Sequence, residues 1–298
     1  AIISGDFLAL ALLAISSFTI GYLVHYYQAA LKAFEKILGS LAVIIGTFWW
    51  MLAGISELRA HTASEQHFAA IIIFAALSAQ VFIWVSQKIN WPHLGACVFA
   101  LMPFLWLFCA EQMNFAEDYL HPTHGLGLLA IGLALAIQYR FLWLQHTWDL
   151  AAQKTENLWL SAWHVLSAWW LFGLIGWEVA WQQEHLNLHG TASTLIWFAA
   201  LTLPVAALMA VSKRLFWPFN AYETVYKNWV PAPLLVLAAL WFLAACTKTG
   251  GGASNYVPLI NPLDLAQCGV IVLFAYIAKQ KFLTGLSFIS RTVQFSCL

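Results

Sequence analysis

The sequence predicts an all-α protein, a polytopic transmembrane helix bundle with about nine spans. Of its 298 residues, 62% are hydrophobic and only 9% are charged, whereas soluble domains are roughly 45–50% apolar and about 25% charged. The apolar residues also gather in long windows without Asp, Glu, Lys or Arg. This composition excludes a soluble enzyme, a nucleic-acid-binding protein with a basic face and a disordered segment.

Nine uncharged windows supply the predicted spans. A helix needs about 20 mostly apolar residues to cross the hydrocarbon of a bilayer, and its backbone groups must pair within the helix. The first eight windows hold at least 20 residues, and the ninth holds 14 but can be lengthened if its helix begins at Pro262. The windows are 7–31, 37–56, 66–87, 89–110, 119–139, 157–177, 185–212, 228–247 and 265–278.

The basic residues predict how the spans are oriented. If the chain has nine spans, eleven of its thirteen Lys and Arg residues fall in loops on one side of the membrane. Only Arg59 and Lys248 fall on the other side. Because the side rich in Lys and Arg is normally cytoplasmic, we expect Ala1 outside and Leu298 in the cytoplasm. Residues 213–230 mix basic and aromatic side chains, which is typical of a segment lying in the membrane interface.

Three pairs of similar segments predict a parallel internal repeat of four helices. Four is an even number of spans, so both copies run in the same direction, as in repeats related by an axis along the membrane normal. The paired segments are 49–57 with 169–178, 86–92 with 212–218, and 119–122 with 259–262.

The repeat divides the chain into four predicted segments. Residues 1–31 resemble the last helix of a preceding copy, 32–145 form repeat A, 146–283 form repeat B, and 284–298 begin a following segment. The chain opens on Ala1 and shows no signal peptide. We therefore expect it to be part of a longer protein whose flanking segments are missing.

Residues 256–267 carry a Tyr-x-Pro-Leu-x-Asn-Pro-Leu-Asp run that resembles a family of bacterial predicted membrane proteins, domain of unknown function 2339. Softer similarities at 50–57, 91–92, 121–125 and 164–181 extend the likeness over about 40–280. The resemblance is to the C-terminal, multi-helix part of that family. It implies a many-helix inner-membrane protein and no activity that can be assigned to individual residues.

Acidic residues and histidines concentrate on the predicted outer side, which holds nine of thirteen acids and six of ten histidines. Carboxylates and imidazoles are the usual groups for proton transfer and for metal binding. The alternative is that these are hydrated loop residues without a function. The candidate functional residues, at the outer face or within the membrane, are Glu57, His121, His124, His164, Glu178, Asn261 and Asp264.

His185 and His189 are weak candidates for a zinc site. Their H-x-x-x-H spacing places two imidazoles one turn apart if the stretch is helical, but the glutamate of an H-E-x-x-H motif is missing. His25 and His164 are the residues available for axial haem ligation, and no further feature supports that role. We therefore predict no cofactor.

Two of the candidates have a structural alternative. His164 lies about two turns into its span, where a neutral imidazole can hydrogen-bond a neighbouring helix, for example the one bearing Gln80. Asn261 precedes Pro262 and can cap the last span, with Asp264 in the first turn at the positive end of the helix dipole.

Two functional hypotheses follow. The first is a non-enzymatic transporter, channel or envelope-assembly scaffold, which the parallel repeat and the sparse polar groups of the spans favour. The second is a membrane-embedded enzyme acting on a lipid-linked or periplasmic envelope substrate at the outer face. A cavity joining Glu57, Glu178, His121 and Asp264 would favour the enzyme, and a polar path reaching His164 would favour transport. The expected partners are the lipid bilayer and a small-molecule or lipid-linked substrate, and not nucleic acid.

Overall fold

A computed structural model describes residues 4–115, 121–151, 158–211, 216–248 and 260–279, and in these ranges the backbone forms helices and turns without a strand. Nine of the described helical stretches are long and apolar enough to cross a membrane. The all-α class and the nine predicted spans are therefore confirmed. The predicted segment 284–298, residues 213–215 of the interfacial segment and residues 256–259 of the Asn-Pro-Leu-Asp run lie outside the described residues.

Ten α-helices and two short irregular helices make up these spans. Span 4 combines α4, a 3₁₀ turn and α5, and span 8 begins in a π-helical turn before α9. The elements are α1 (Gly5–Tyr26), α2 (Ala33–His61), α3 (Ser64–Lys88), α4 (Pro92–Ala96), the 3₁₀ turn (Cys97–Ala100), α5 (Leu101–Phe115), α6 (Gly127–Ala151), α7 (Leu158–His185), α8 (Thr191–Val211), the π turn (Val225–Trp229), α9 (Ala232–Ala245) and α10 (Pro262–Lys279).

The chain divides into two compact units, Ala1–Gln153 and Lys154–Leu298. Unit 1 contains α1 to α6, and unit 2 contains α7 to α10. The predicted four-helix repeat, with its copies at 32–145 and 146–283, stays a prediction.

In unit 1, α1 packs along α2 through small residues. A Cβ atom added at Gly39 of α2 would lie 2.3 Å from Val24 Cγ1 of α1, and one added at Gly46 would lie 2.9 Å from Phe18 Cδ1. Lipid tails are as apolar as the helix faces, so helices in membranes associate through such close packing of small residues. The seven-residue spacing of Gly39 and Gly46 keeps both on the face that meets α1.

The third helix forms the centre of unit 1. It contacts α2, α4, α5 and α6, and its buried side chains include Phe68, Ile71, Ile72 and Phe82. At its end, Ser86 Oγ donates to the Trp91 carbonyl over 2.9 Å. This bond fixes the turn that leads into α4 and so positions His93 beside α2.

In unit 2, α8, α9 and α10 share an apolar core. Its buried members are Leu201, Val205, Met209, Leu234, Leu235, Ala238 and Ile277. Segment 216–231 folds against α7, because Trp169 Nε1 donates to the carbonyl oxygens of Trp229 and Val230 at 3.3 and 3.2 Å. These carbonyls flank the end of the π turn, where helical pairing is incomplete.

We predict that Gly39→Leu destabilises unit 1 by about 1–3 kcal/mol, the usual range for overpacking a close contact. The substituted side chain would overlap Val24 and push α1 away from α2. The measurement is thermal unfolding of the purified protein in lipid nanodiscs. Gly132→Leu is the matched control, because a Cβ atom at Gly132 of α6 has no neighbour within 4 Å. Equal melting temperatures for the two variants would contradict the packing described here.

Candidate functional site

Glu57 joins the end of α2 to the start of α1. Its Oε2 accepts a hydrogen bond from Ser4 Oγ at 2.6 Å, and its Oε1 accepts one from Ser4 N at 3.3 Å. Ser4 Oγ in turn accepts from Phe7 N at 3.1 Å and caps α1. His61 Nδ1 lies 3.5 Å from Glu57 Oε1. The carboxylate therefore has a local structural task at this end of unit 1.

His121 and His124 lie together in the turn that precedes α6. Their ring centroids are 5.9 Å apart, and His121 Nε2 is 3.1 Å from Thr123 Oγ1. His124 is exposed and His121 is half-buried. The structure thus brings this predicted pair together, and His121 also contacts Thr123 of the same turn.

His164 is fully buried in unit 2 inside a group of aromatic side chains. Its Nδ1 lies 3.0 Å from the Tyr226 hydroxyl, and its ring centroid is 4.1 Å from that of Tyr222 and 5.7 Å from that of Trp217. Tyr226 of the neighbouring segment 216–231 is therefore a hydrogen-bond partner of His164, and the alternative partner on the helix bearing Gln80 stays a prediction. The imidazole holds segment 216–231 against α7.

Glu178 and the two possible zinc ligands follow one another along the end of α7. Glu178 Oε1 accepts from Gln182 Nε2 at 2.8 Å, and His185 stacks on Trp181 with centroids 3.7 Å apart. The helix ends at His185, so His189 lies beyond it and the condition for a one-turn imidazole pair is not met. Among the described residues, no group of three or more His, Cys, Asp or Glu is placed to hold a metal ion.

Asn261 caps α10 as the sequence predicts. Its Oδ1 accepts from Leu263 N at 2.8 Å, and the residue is 6% exposed. The helix begins at Pro262 with Asp264 in its first turn. This local chemistry explains the Asn-Pro-Leu-Asp run as a device that starts a helix.

A cavity of about 540 Å³ in unit 1 is the feature that the sequence did not indicate. Small side chains on α2 and α3 leave the space, and the 3₁₀ turn of span 4 closes one side of it. We name it the apolar cavity. It is lined by Ser40, Ile44, Thr47, Phe48, Met51, Ala75, Ser78, Ala79, Phe82, His93, Ala96, Cys97, Val98, Ala100, Leu101 and Phe104.

Two polar side chains that line the apolar cavity, Ser40 and His93, lie next to each other. Ser40 Oγ is 3.3 Å from His93 Nδ1. Further along, Ser78 Oγ accepts from Trp50 Nε1 at 2.9 Å, so that hydroxyl is engaged with α2. Ile44 and Phe48 are 58% and 57% exposed, and the rim of the cavity is therefore open to the surroundings of the helices.

A second, smaller cavity of about 220 Å³ adjoins the first and shares Ser40 and His93 with it. We name it the histidine pocket, because His25 of α1 and His93 of α4 face each other there with ring centroids 6.1 Å apart. Its lining residues are Gly21, Val24, His25, Gln28, Lys36, Ile37, Gly39, Ser40 and His93.

Unit 2 has an apolar groove that provides a comparison. It measures about 560 Å³ and runs between α7, α8 and Phe219. Its lining residues carry no polar side chain, in contrast to those of the apolar cavity, which include Ser40 and His93. None of the seven candidate functional residues and neither possible zinc ligand lines the apolar cavity, the histidine pocket or this groove, whereas His25, named only as a possible haem ligand, lines the histidine pocket.

The sequence did not predict the paired cavities because their residues come from four windows. His25 was singled out only as a haem ligand, and His93 and Lys36 stand at the ends of spans, where polar residues are ordinary. One pattern did carry a signal. Ser40 and Thr47 of α2 and Ala75, Ser78 and Ala79 of α3 are small residues, and all five line the apolar cavity.

Comparison with known proteins decides the family. The profile of the family described as "Predicted membrane protein (DUF2339)" matches residues 4–286. The chain belongs to the DUF2339 family. The match covers nearly the whole chain and extends past the 40–280 likeness found from motifs. No curated protein and no solved structure matches, so the function of this DUF2339 chain has to be argued from its own residues.

We predict that Asn261→Ala lowers the stability of unit 2 by about 1 kcal/mol, the typical effect of losing an N-cap. Asn261→Ser is the control, because a serine hydroxyl can accept from the Leu263 amide and should retain most of the stability. Asp264→Asn should cost only a few tenths of a kcal/mol through the helix dipole. Hydrogen exchange at the first turn of α10, followed by mass spectrometry, measures all three. Unchanged exchange in Asn261→Ala would contradict the cap.

Proposed function

We propose that this DUF2339 protein handles lipids and that unit 1 holds the apolar chain of a lipid or lipid-linked molecule in the apolar cavity. The role fits a transporter or an envelope-assembly scaffold of the inner membrane. One observation carries the proposal, namely a cavity of about 540 Å³ whose wall is mostly apolar and includes the neighbouring Ser40 and His93. Its volume falls in the range of roughly 300–1,000 Å³ typical of small-molecule sites.

The position of the cavity within the spans favours a ligand from the bilayer. Every lining residue belongs to a helix that can cross the membrane, so the exposed rim at Ile44 and Phe48 faces hydrocarbon. An acyl chain can enter the cavity laterally from the bilayer through this rim. Inside the cavity, contacts with the apolar side chains replace the contacts that the chain made with other lipids. A soluble metabolite would have to leave water to reach the same space, which is unfavourable for polar groups.

The outer-face enzyme has less support as a second candidate. Glu57 is engaged with Ser4 and His61, and Asn261 is engaged with the Leu263 amide. Both side chains therefore have structural reasons for their positions. The lipid proposal uses neither of them, and it leaves open a lipid-linked substrate, which both functional hypotheses share.

The charge pattern supports a cytoplasmic location for the histidine pocket. Lys36 lines the pocket and Lys32 begins α2 at the same end, and Lys-rich ends are normally cytoplasmic.

We expect a cysteine at Asn187, between α7 and α8, to react with a membrane-impermeant maleimide in intact cells. A cysteine at Ala30, between α1 and α2, should react only after permeabilisation. Both sites are exposed, and the native cysteines are replaced by serine. The reverse pattern would overturn the orientation.

The lipid proposal is tested by filling the cavity. Thr47→Trp places a large side chain in its middle, and Ala100→Phe fills it from span 4 if the first variant folds poorly. We expect binding of a diacylglycerol to the delipidated protein, measured by native mass spectrometry, to weaken about tenfold or more, since the buried chain contributes several kcal/mol. Leu12→Trp, at a position of α1 that is 64% exposed, is the control. Equal binding by Thr47→Trp, Ala100→Phe and Leu12→Trp would refute the proposal.

A further inference from the structure

The histidine pocket collects donors from three helices. His25 comes from α1, Lys36 and Ser40 come from α2, and His93 comes from α4. Lys36 and Ser40 are one helical turn apart, so their side chains lie on the same face of α2. The pocket thus places an ammonium group, a hydroxyl and two imidazoles around about 220 Å³ of space.

Two of these groups have no internal partner. His25 Nδ1 is buried without a hydrogen-bond partner among the described residues, and a buried polar atom left unpaired is unfavourable. Lys36 is exposed and makes no ion pair within the described part of the chain. A ligand that accepts hydrogen bonds and carries negative charge would satisfy both groups at once.

The charge of the surroundings also favours an anion. The pocket is lined by nine residues, and none of them is Asp or Glu. The nearby acid in sequence, Glu35, accepts from Lys32 N at 2.7 Å and is held at the start of α2. An anion in the pocket would therefore meet Lys36 without a competing carboxylate from its walls.

We infer that the histidine pocket binds the phosphate monoester head group of a membrane lipid whose chain lies in the apolar cavity. The inference rests on the proposed function. The two cavities meet at Ser40 and His93, so one molecule can span them with its tail among Thr47, Ala79 and Phe104. Phosphate oxygens accept from imidazole N–H, hydroxyl and ammonium donors, and bonds to a charged group are the stronger kind. A lysine binds phosphate as a point charge.

The size of the pocket favours a compact head group. A volume of 220 Å³ corresponds to roughly seven water molecules at about 30 Å³ each, enough for a phosphate group and a few water molecules. Phosphatidic acid and a polyprenyl phosphate share this phosphate chemistry and differ in their tails. Both are therefore used as probes, and the tighter one identifies the source.

The experiment compares lipids that differ only in the phosphate. The delipidated 298-residue chain is titrated by native mass spectrometry with phosphatidic acid, with diacylglycerol of the same acyl chains and with a polyprenyl phosphate. We expect the wild-type protein to prefer phosphatidic acid over diacylglycerol about tenfold or more, as charged hydrogen bonds would give. Lys36→Gln and His25→Asn should each remove most of that preference. Lys32→Gln is the control, because Lys32 stands four residues away and does not line the pocket.

The outcomes separate the inference from the proposed function. Thr47→Trp should weaken phosphatidic acid and diacylglycerol alike and leave their ratio intact. If it does so while Lys36→Gln and His25→Asn keep the wild-type ratio, the phosphate inference is overturned and the lipid proposal stands. A wild-type ratio of one overturns the inference in the same way. If Thr47→Trp changes no affinity and Lys36→Gln removes the preference, phosphate binding is supported and the apolar cavity is not its chain site.

Discussion

Hydrocarbon offers no hydrogen bonds, and this constraint governs where the polar groups of the chain can be placed. The nine spans found in the described ranges surround their backbone with apolar side chains, and side chains such as Glu57, His164 and Asn261 are bonded inside their own unit. These bonds hold the start of α1, segment 216–231 and the start of α10. Polar residues that looked functional in the sequence therefore have structural work at these places.

The histidine pocket departs from that rule, as do Trp91, Gln138 and Trp170, whose side-chain polar atoms are also buried without a hydrogen-bond partner among the described residues. The pocket's His25 Nδ1 is buried without a described partner, and the pocket adjoins an apolar space of about 540 Å³. Close packing of α1 on α2 at Gly39 brings His25 beside Ser40 and His93. The same small residues that join the helices thus shape the place where polar and apolar walls meet, and an amphiphile matches both.

The sequence was sufficient for the spans and for the cap of α10. Windows without charged residues mark membrane-spanning helices because a charged side chain inside the bilayer is energetically unfavourable. The Asn-Pro-x-Asp order predicts a helix start because the asparagine side chain can cap the helix that begins at the proline. Other features depended on distant contacts. Tyr226 bonds His164 from 62 residues away, and four windows combine to form the paired cavities. The end of α7 lies before His189, where Asn187 adopts a positive φ of 50° that is incompatible with a continuing helix.

The most direct test of the central claim is a cryo-electron microscopy map of the protein in nanodiscs made with its native membrane lipids. The account predicts elongated density in the apolar cavity, between α2, α3 and span 4, that continues into a compact head between His25, Lys36 and His93. A map in which side chains fill the apolar cavity would contradict the account. So would a map with density in the apolar cavity but no head-group density in the histidine pocket.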